Sequence, residues 1–241
     1  MVDSRYVDNA GVRLHYLDSG GRDRGAPIVF VPGMTCLADD YVEILPLLGR
    51  RSVVVELRGH GRSDAPVGGY DSDALASDVG AVVKAITDGP VHLMTFSRGT
   101  AYALRWALRH TDRVRSVSIG DYVPEEILLP DEVRSRLLDG RWRGTPVHDR
   151  LDRDAGMATF RAARQQSFWE ELSRWRPPLL VVRSPHSPLI DDAAWSRYRT
   201  LFPAARLHVF DDSPHDVFRP DRGRYPALVR EHVDATDGIS P

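Results

Sequence analysis

Along most of this chain, short apolar runs of strand length alternate with segments of helical spacing, and that alternation leaves few folds open. Residues 28–31, 53–57, 91–96, 114–119, 179–182 and 206–210 read as strands. Between them, residues 71–87 place Leu75, Val79, Val82, Val83 and Ile86 at helical spacing, and 100–109, 191–201 and 226–233 read as further helices. Strands alternating with helices imply a mostly parallel sheet flanked by helices on both faces. Residues 5–7 and 12–17 flank Asn9-Ala10-Gly11 and predict an N-terminal hairpin. A turn of Gly, Arg and Asp residues then leads to Pro27. From 121 to 176 the alternation stops, and the chain becomes rich in Arg, Asp and Glu with Trp142, Phe160, Phe168 and Trp169 among them. This stretch is expected to be a helical cap inserted above a core built from 1–120 and 177–241. The tail from Asp234 onward is expected to fray.

A chain of 241 residues suits one α/β domain. Its net charge of −2 gives no reason to expect nucleic acid or an anionic membrane as partner. Only Lys84 among the 32 basic residues is a lysine, so arginine supplies almost every fixed cation. Cys36 is the sole cysteine, which excludes an intramolecular disulfide and any cysteine metal cluster. The first five residues begin a polar segment with no apolar stretch of signal-peptide type, and the apolar runs are far too short to span a bilayer. A cytoplasmic protein with no membrane association is the expectation, and its oligomeric state stays open. No cofactor is expected, because G-x-G-x-x-G, P-loop and H-E-x-x-H patterns are missing and the nine histidines lack ligand spacing.

The chemistry concentrates just after strands. Residues 91–101 run from a strand into Ser97, Arg98, Gly99 and a helix. A sharp strand-to-helix turn lifts a serine hydroxyl clear of a sheet, where a base can reach it. The helix behind it points N-terminal amides toward any oxyanion nearby. The pattern G-x-S-x-G is incomplete, because Thr95 occupies the first glycine position. Pro32-Gly33-Met34 ends another strand, and the Met34 and Arg98 amides together suit an oxyanion hole. Glu56 to Asp64 contains two glycines suited to tight bends and reads as support beside the site, with His60 as a packing or hydrogen-bonding residue. His215, in the loop after the last strand, is placed to take a serine proton.

Taken together, the turn at Pro32-Gly33-Met34, the glycine loop at Glu56–Ser63, the serine turn at Ser97 and the late His215 resemble the α/β-hydrolase fold superfamily. The resemblance spans almost the whole chain and implies a mostly parallel eight-stranded sheet with a helical cap. It also implies an acid in the loop after 179–182, where this chain has Ser187. A neutral hydroxyl cannot stabilise an imidazolium as a carboxylate does. Some members of the superfamily draw the acid from the neighbouring strand, and Asp121 follows that strand here. The Arg98 side chain has three possible places: in the pocket holding a substrate carboxylate, paired with Asp121, or on the helix surface. Trp142, Phe160, Phe168 and Trp169 suit either a pocket wall or the cap's own core.

The leading expectation is a serine hydrolase acting on a small-molecule ester or related acyl compound through an acyl-enzyme, with Ser97, His215 and Asp121 as its catalytic residues. The scaffold also serves lyases, cyclases and carbon–carbon bond-cleaving enzymes. A non-catalytic ligand binder is the third possibility, since Thr95 and Ser187 are departures of the kind a decaying site shows.

Overall fold

The computed structural model describes residues 2–21 and 25–238. Three of the sequence readings touch residues outside that range: the Met1 end of the polar N-terminal segment, residues 22–24 of the turn before Pro27, and residues 239–241 of the tail.

Strands β1 (Asp3–Asn9) and β2 (Val12–Asp18) form the hairpin, in register from Asn9 opposite Val12 to Asp3 opposite Asp18. Its turn needs two consecutive left-handed residues, Ala10 and Gly11 at φ 53° and 87°. Next come β3 (Ile28–Val31), β4 (Ser52–Val55), α1 (Ser72–Ile86), β5 (Val91–Phe96), α2 (Gly99–Ala107) and β6 (Val114–Gly120). Then follow β7 (Glu125–Glu126), α3 (Asp131–Leu138), β8 (Arg141–Trp142), β9 (Thr145–Pro146), α4 (Arg153–Ala162), β10 (Gln166–Ser167) and α5 (Trp169–Trp175). The chain closes with β11 (Leu179–Arg183), α6 (Asp192–Leu201), β12 (Arg206–Val209) and α7 (Arg224–Asp237). Eight strands make one sheet in the order β1-β2-β4-β3-β5-β6-β11-β12. Within this sheet, among the described residues, only the β1–β2 and β2–β4 pairs are antiparallel.

Strand alternation splits the core in two. On one face Val29, Val31, Leu93 and Val181 pack with α1, α2 and α6 residues such as Val79, Leu104 and Tyr198. On the other, Ile28, Phe30, Met94 and Val182 pack against Tyr41, Leu45 and the α7 residues Tyr225 and Val229. α1 begins where the Asp71 carboxylate accepts from the Asp73 and Ala74 amides.

The C-terminal segment differs from expectation. α7 is helical to Asp237, because Asp234 and Asp237 both pair with the buried guanidinium of Arg50. Their polarity suggests a solvated tail, yet it serves to anchor the helix under the sheet.

Between β6 and β11, α3, α4 and the small β8–β9 hairpin enclose a cluster of Leu138, Val147, Leu151 and Phe160. Two arginine–aspartate pairs fasten this segment to the main body. Arg143 meets Asp216 in a bidentate pair at 2.8 Å on both arms. Arg150 reaches Asp40 at 2.7 and 3.2 Å.

Candidate active site

β5 delivers Phe96 at its last position and Ser97 one residue beyond it, with Arg98 between Ser97 and the start of α2. The chain makes this turn with Ser97 at φ 52°, a left-handed conformation that costs a non-glycine residue roughly 1–3 kcal/mol. Crowding explains the flanking glycines. A side chain at Gly99 would run into the Pro32 carbonyl, and one at Gly33 would come within 3.0 Å of the Ser97 Cβ. Thr95 occupies the remaining glycine position without strain. Its hydroxyl is wholly buried, donates to the Ser118 carbonyl at 3.2 Å and lies 2.9 Å from the Thr100 hydroxyl.

Ser97, His215 and Asp121 form one hydrogen-bonded chain. The Ser97 Oγ lies 2.8 Å from His215 Nε2, and His215 Nδ1 lies 2.7 Å from Asp121 Oδ2. Asp121 is fully buried at the end of β6, itself left-handed at φ 46°. Its backbone amide donates to the Val182 carbonyl, and its Oδ1 accepts from the Ser184 amide at 2.9 Å. The carboxylate that meets His215 therefore follows β6, and the Ser184 amide just after β11 orients it. The imidazole stacks on Phe96 at 4.9 Å, and Trp142 meets it edge-on at 6.3 Å. Such an arrangement can pass a proton from hydroxyl to imidazole while a fixed carboxylate holds the ring tautomer.

This chain opens into a cavity of about 280 Å³. Met34, Arg98, Trp142, Phe160 and Ser187 are all in its wall. Among the described residues, neither the Met34 nor the Arg98 backbone amide has a protein acceptor. His60 is buried and places Nε2 2.6 Å from the Met34 carbonyl, gripping the turn next to Ser97. Its Nδ1 lies 3.1 Å from the Arg58 carbonyl, and burial holds its imidazole pKa below the usual histidine value.

Two aromatic residues expected in the pocket are elsewhere. Phe168 and Trp169 are buried in the main core against the sheet, and Trp169 packs on Tyr198 and Phe202. Its indole N–H donates to Glu125 at 2.6 Å, which turns the ring inward. Arg98 does not pair with Asp121 and is not on the surface. Its Nε donates to the Tyr102 hydroxyl at 2.9 Å and its Nη1 to the Ile127 carbonyl at 2.8 Å. Much of the wall comes from residues that sequence reasoning passed over: Leu129, Val133, Leu137, Leu138, Pro188 and Leu189. The i, i+4 spacing of Val133 and Leu137 was the available signal. Among the described residues no group of His, Cys, Asp and Glu is arranged to hold a metal, and no helix is long and apolar enough to cross a membrane.

The chain belongs to the alpha/beta hydrolase fold family, whose model matches residues 26–155, and it is an enzyme of hydrolase type. It is 26% identical over 250 residues to the non-heme chloroperoxidase CPO-A1 of Kitasatospora aureofaciens, covering 86% of this chain and 90% of that one. A non-heme chloroperoxidase of Streptomyces lividans is 36% identical over 125 residues, half of this chain and 45% of that protein. Among solved structures, E-2-(acetamidomethylene)succinate hydrolase superposes with a TM-score of 0.81 at 22% identity, covering 97% of this chain and all of the other.

Proposed function

We propose that this protein is a serine hydrolase that cleaves a small-molecule ester or related acyl compound through an acyl-enzyme. Ser97 Oγ attacks the acyl carbon as His215 Nε2 takes its proton, and Asp121 stabilises the imidazolium that results. The Met34 and Arg98 amides receive the developing oxyanion. His215 then protonates the departing alkoxide. Water, deprotonated by the same imidazole, releases the acid and restores Ser97.

The observation that carries this reading is the unbroken hydrogen-bonded chain from Ser97 to His215 to the buried Asp121. Met34, Arg98 and the cavity wall belong to the same reading, with Trp142 as a substrate contact and no cofactor required. Ser97→Ala is the test: hydrolysis of 4-nitrophenyl acetate should fall to the background rate while the fold is kept. Unchanged turnover would remove Ser97 from the mechanism.

A further inference from the structure

An arginine directly after the nucleophile, with its side chain at the cavity wall, invites the idea of an anchor for a substrate carboxylate. The structure gives this guanidinium another occupation. Arg98 is only 4% exposed, and two of its nitrogens are committed to Tyr102 and Ile127. The third, Nη2, has no hydrogen-bond partner among the described residues and faces the Glu126 carboxylate at 3.8 Å. Glu126 is itself buried and accepts from the Arg164 amide at 3.2 Å. The ring of Phe160 lies 5.6 Å from the Arg98 guanidinium carbon and stands at the cavity wall. The neighbouring cation Arg105 is held by Asp73 at 2.6 and 3.0 Å.

Among the described residues the cavity wall therefore carries no spare positive charge apart from a protonated His215. Its remaining surface is chiefly Phe96, Leu129, Val133, Leu138, Phe160 and Leu189. A carboxylate brought here would be desolvated beside a pair that is already neutral overall, and an unpaired buried charge is costly. A neutral apolar group meets no such cost.

We propose that Glu126 is a specificity-determining residue: by neutralising Arg98 it restricts this cavity to uncharged, apolar esters and excludes anionic ones. This rests on the serine-hydrolase reading above and narrows its substrate class.

The experiment compares esters matched in shape, one neutral and one anionic in each pair. One pair carries it on the acyl side, 4-nitrophenyl 6-methylheptanoate against mono-4-nitrophenyl adipate. The other carries it on the alcohol side, 4-isopropylphenyl acetate against 4-carboxyphenyl acetate. In the wild-type protein the neutral ester should lead in kcat/KM by at least roughly tenfold in one pair or both, with neither pair favouring the carboxylate. A lead below about tenfold in both pairs, or a carboxylate preference in one, overturns the proposal. Glu126→Gln should then shrink the neutral preference by about tenfold through recovery of the anionic ester, because Arg98 loses its counter-charge. An unchanged ratio in a folded variant removes Glu126 from the account, and the wild-type comparison decides the substrate class even if that variant does not fold. A complete lack of Ser97-dependent turnover of all four esters would count against the serine-hydrolase reading itself. Turnover with the wrong preference counts against this inference alone.

Discussion

Asp121→Asn isolates the acid's part in the proton path, and its effect can be worked out atom by atom. The Ser184 amide donates to Oδ1 at 2.9 Å and can only donate. In the variant the amide oxygen must stay there, so the NH2 group takes the place of Oδ2, 2.7 Å from His215 Nδ1. Facing a donor, Nδ1 becomes an acceptor and the ring proton moves to Nε2. Nε2 lies 2.8 Å from Ser97 Oγ and would then donate to the hydroxyl it should deprotonate. The imidazolium also loses its counter-charge, and Asp121 is too deeply buried for water to replace it. The corresponding change in serine proteases costs about four orders of magnitude in kcat, which is roughly 5 kcal/mol of barrier. We expect a loss of about 10³–10⁴ in kcat for 4-nitrophenyl acetate at pH 7 to 8, with a melting temperature close to wild type. Ser187→Ala, measured beside it, should change kcat by less than about threefold, since Asp121 already meets His215 Nδ1. A folded Asp121→Asn enzyme that keeps more than about a tenth of wild-type kcat would refute the reasoning, as would a large loss confined to Ser187→Ala.

Other consequences concern stability. Arg143→Met removes the bidentate partner of the buried Asp216 carboxylate, leaving it the more exposed Arg219 at 3.6 Å, and should destabilise the fold by roughly 1.5–3 kcal/mol in urea denaturation. Adding Asp216→Asn should recover part of that loss, and a double variant no more stable than the single one would argue against the ion pair as its cause. Acid should also weaken the protein before most carboxylates titrate. Burial pushes His92 and His232 down to about 4, whereas in the unfolded chain each takes up a proton near the ordinary histidine value of 6.5. The unfolded state therefore binds more protons between about pH 6.5 and 4, and stability falls as pH drops through that window by up to about 1.4 kcal/mol per unit per group. Urea midpoints at pH 7 and 4.5 measure this, and equal values would show that neither ring is held neutral.

Much of the architecture could be read from the residues because burial on both faces writes parallel strands as short, near-continuous apolar runs. Residues 28–31 are wholly apolar, and in 91–96 His92 and Thr95 are the two polar interruptions; both runs match the observed strands. Asp121 was pointed to through the resemblance, since Ser187 is neutral and some members of the superfamily draw the acid from the neighbouring strand; the structure places its carboxylate 2.7 Å from His215 Nδ1. The cap was far less legible. β8 and β9 are two residues each, too short for any periodicity, and the hairpin is held by Arg143 gripping Asp216, 73 positions away. Phe168 and Trp169 have the composition of either a pocket wall or a core. What decides between them is the Glu125 acceptor for the indole and the pairing of β7 with β10, both long-range facts. Arg98 posed the same problem, because its counter-charge Glu126 lies 28 residues on in a segment without regular pattern.

The central claim is that the Ser97 oxygen is an activated nucleophile. Intact-mass and peptide mass spectrometry after treatment with a fluorophosphonate tests it most directly. The account predicts one covalent adduct per chain, on Ser97, forming far more slowly in His215→Gln. A chain that stays unmodified, or an adduct on any other residue, would contradict it.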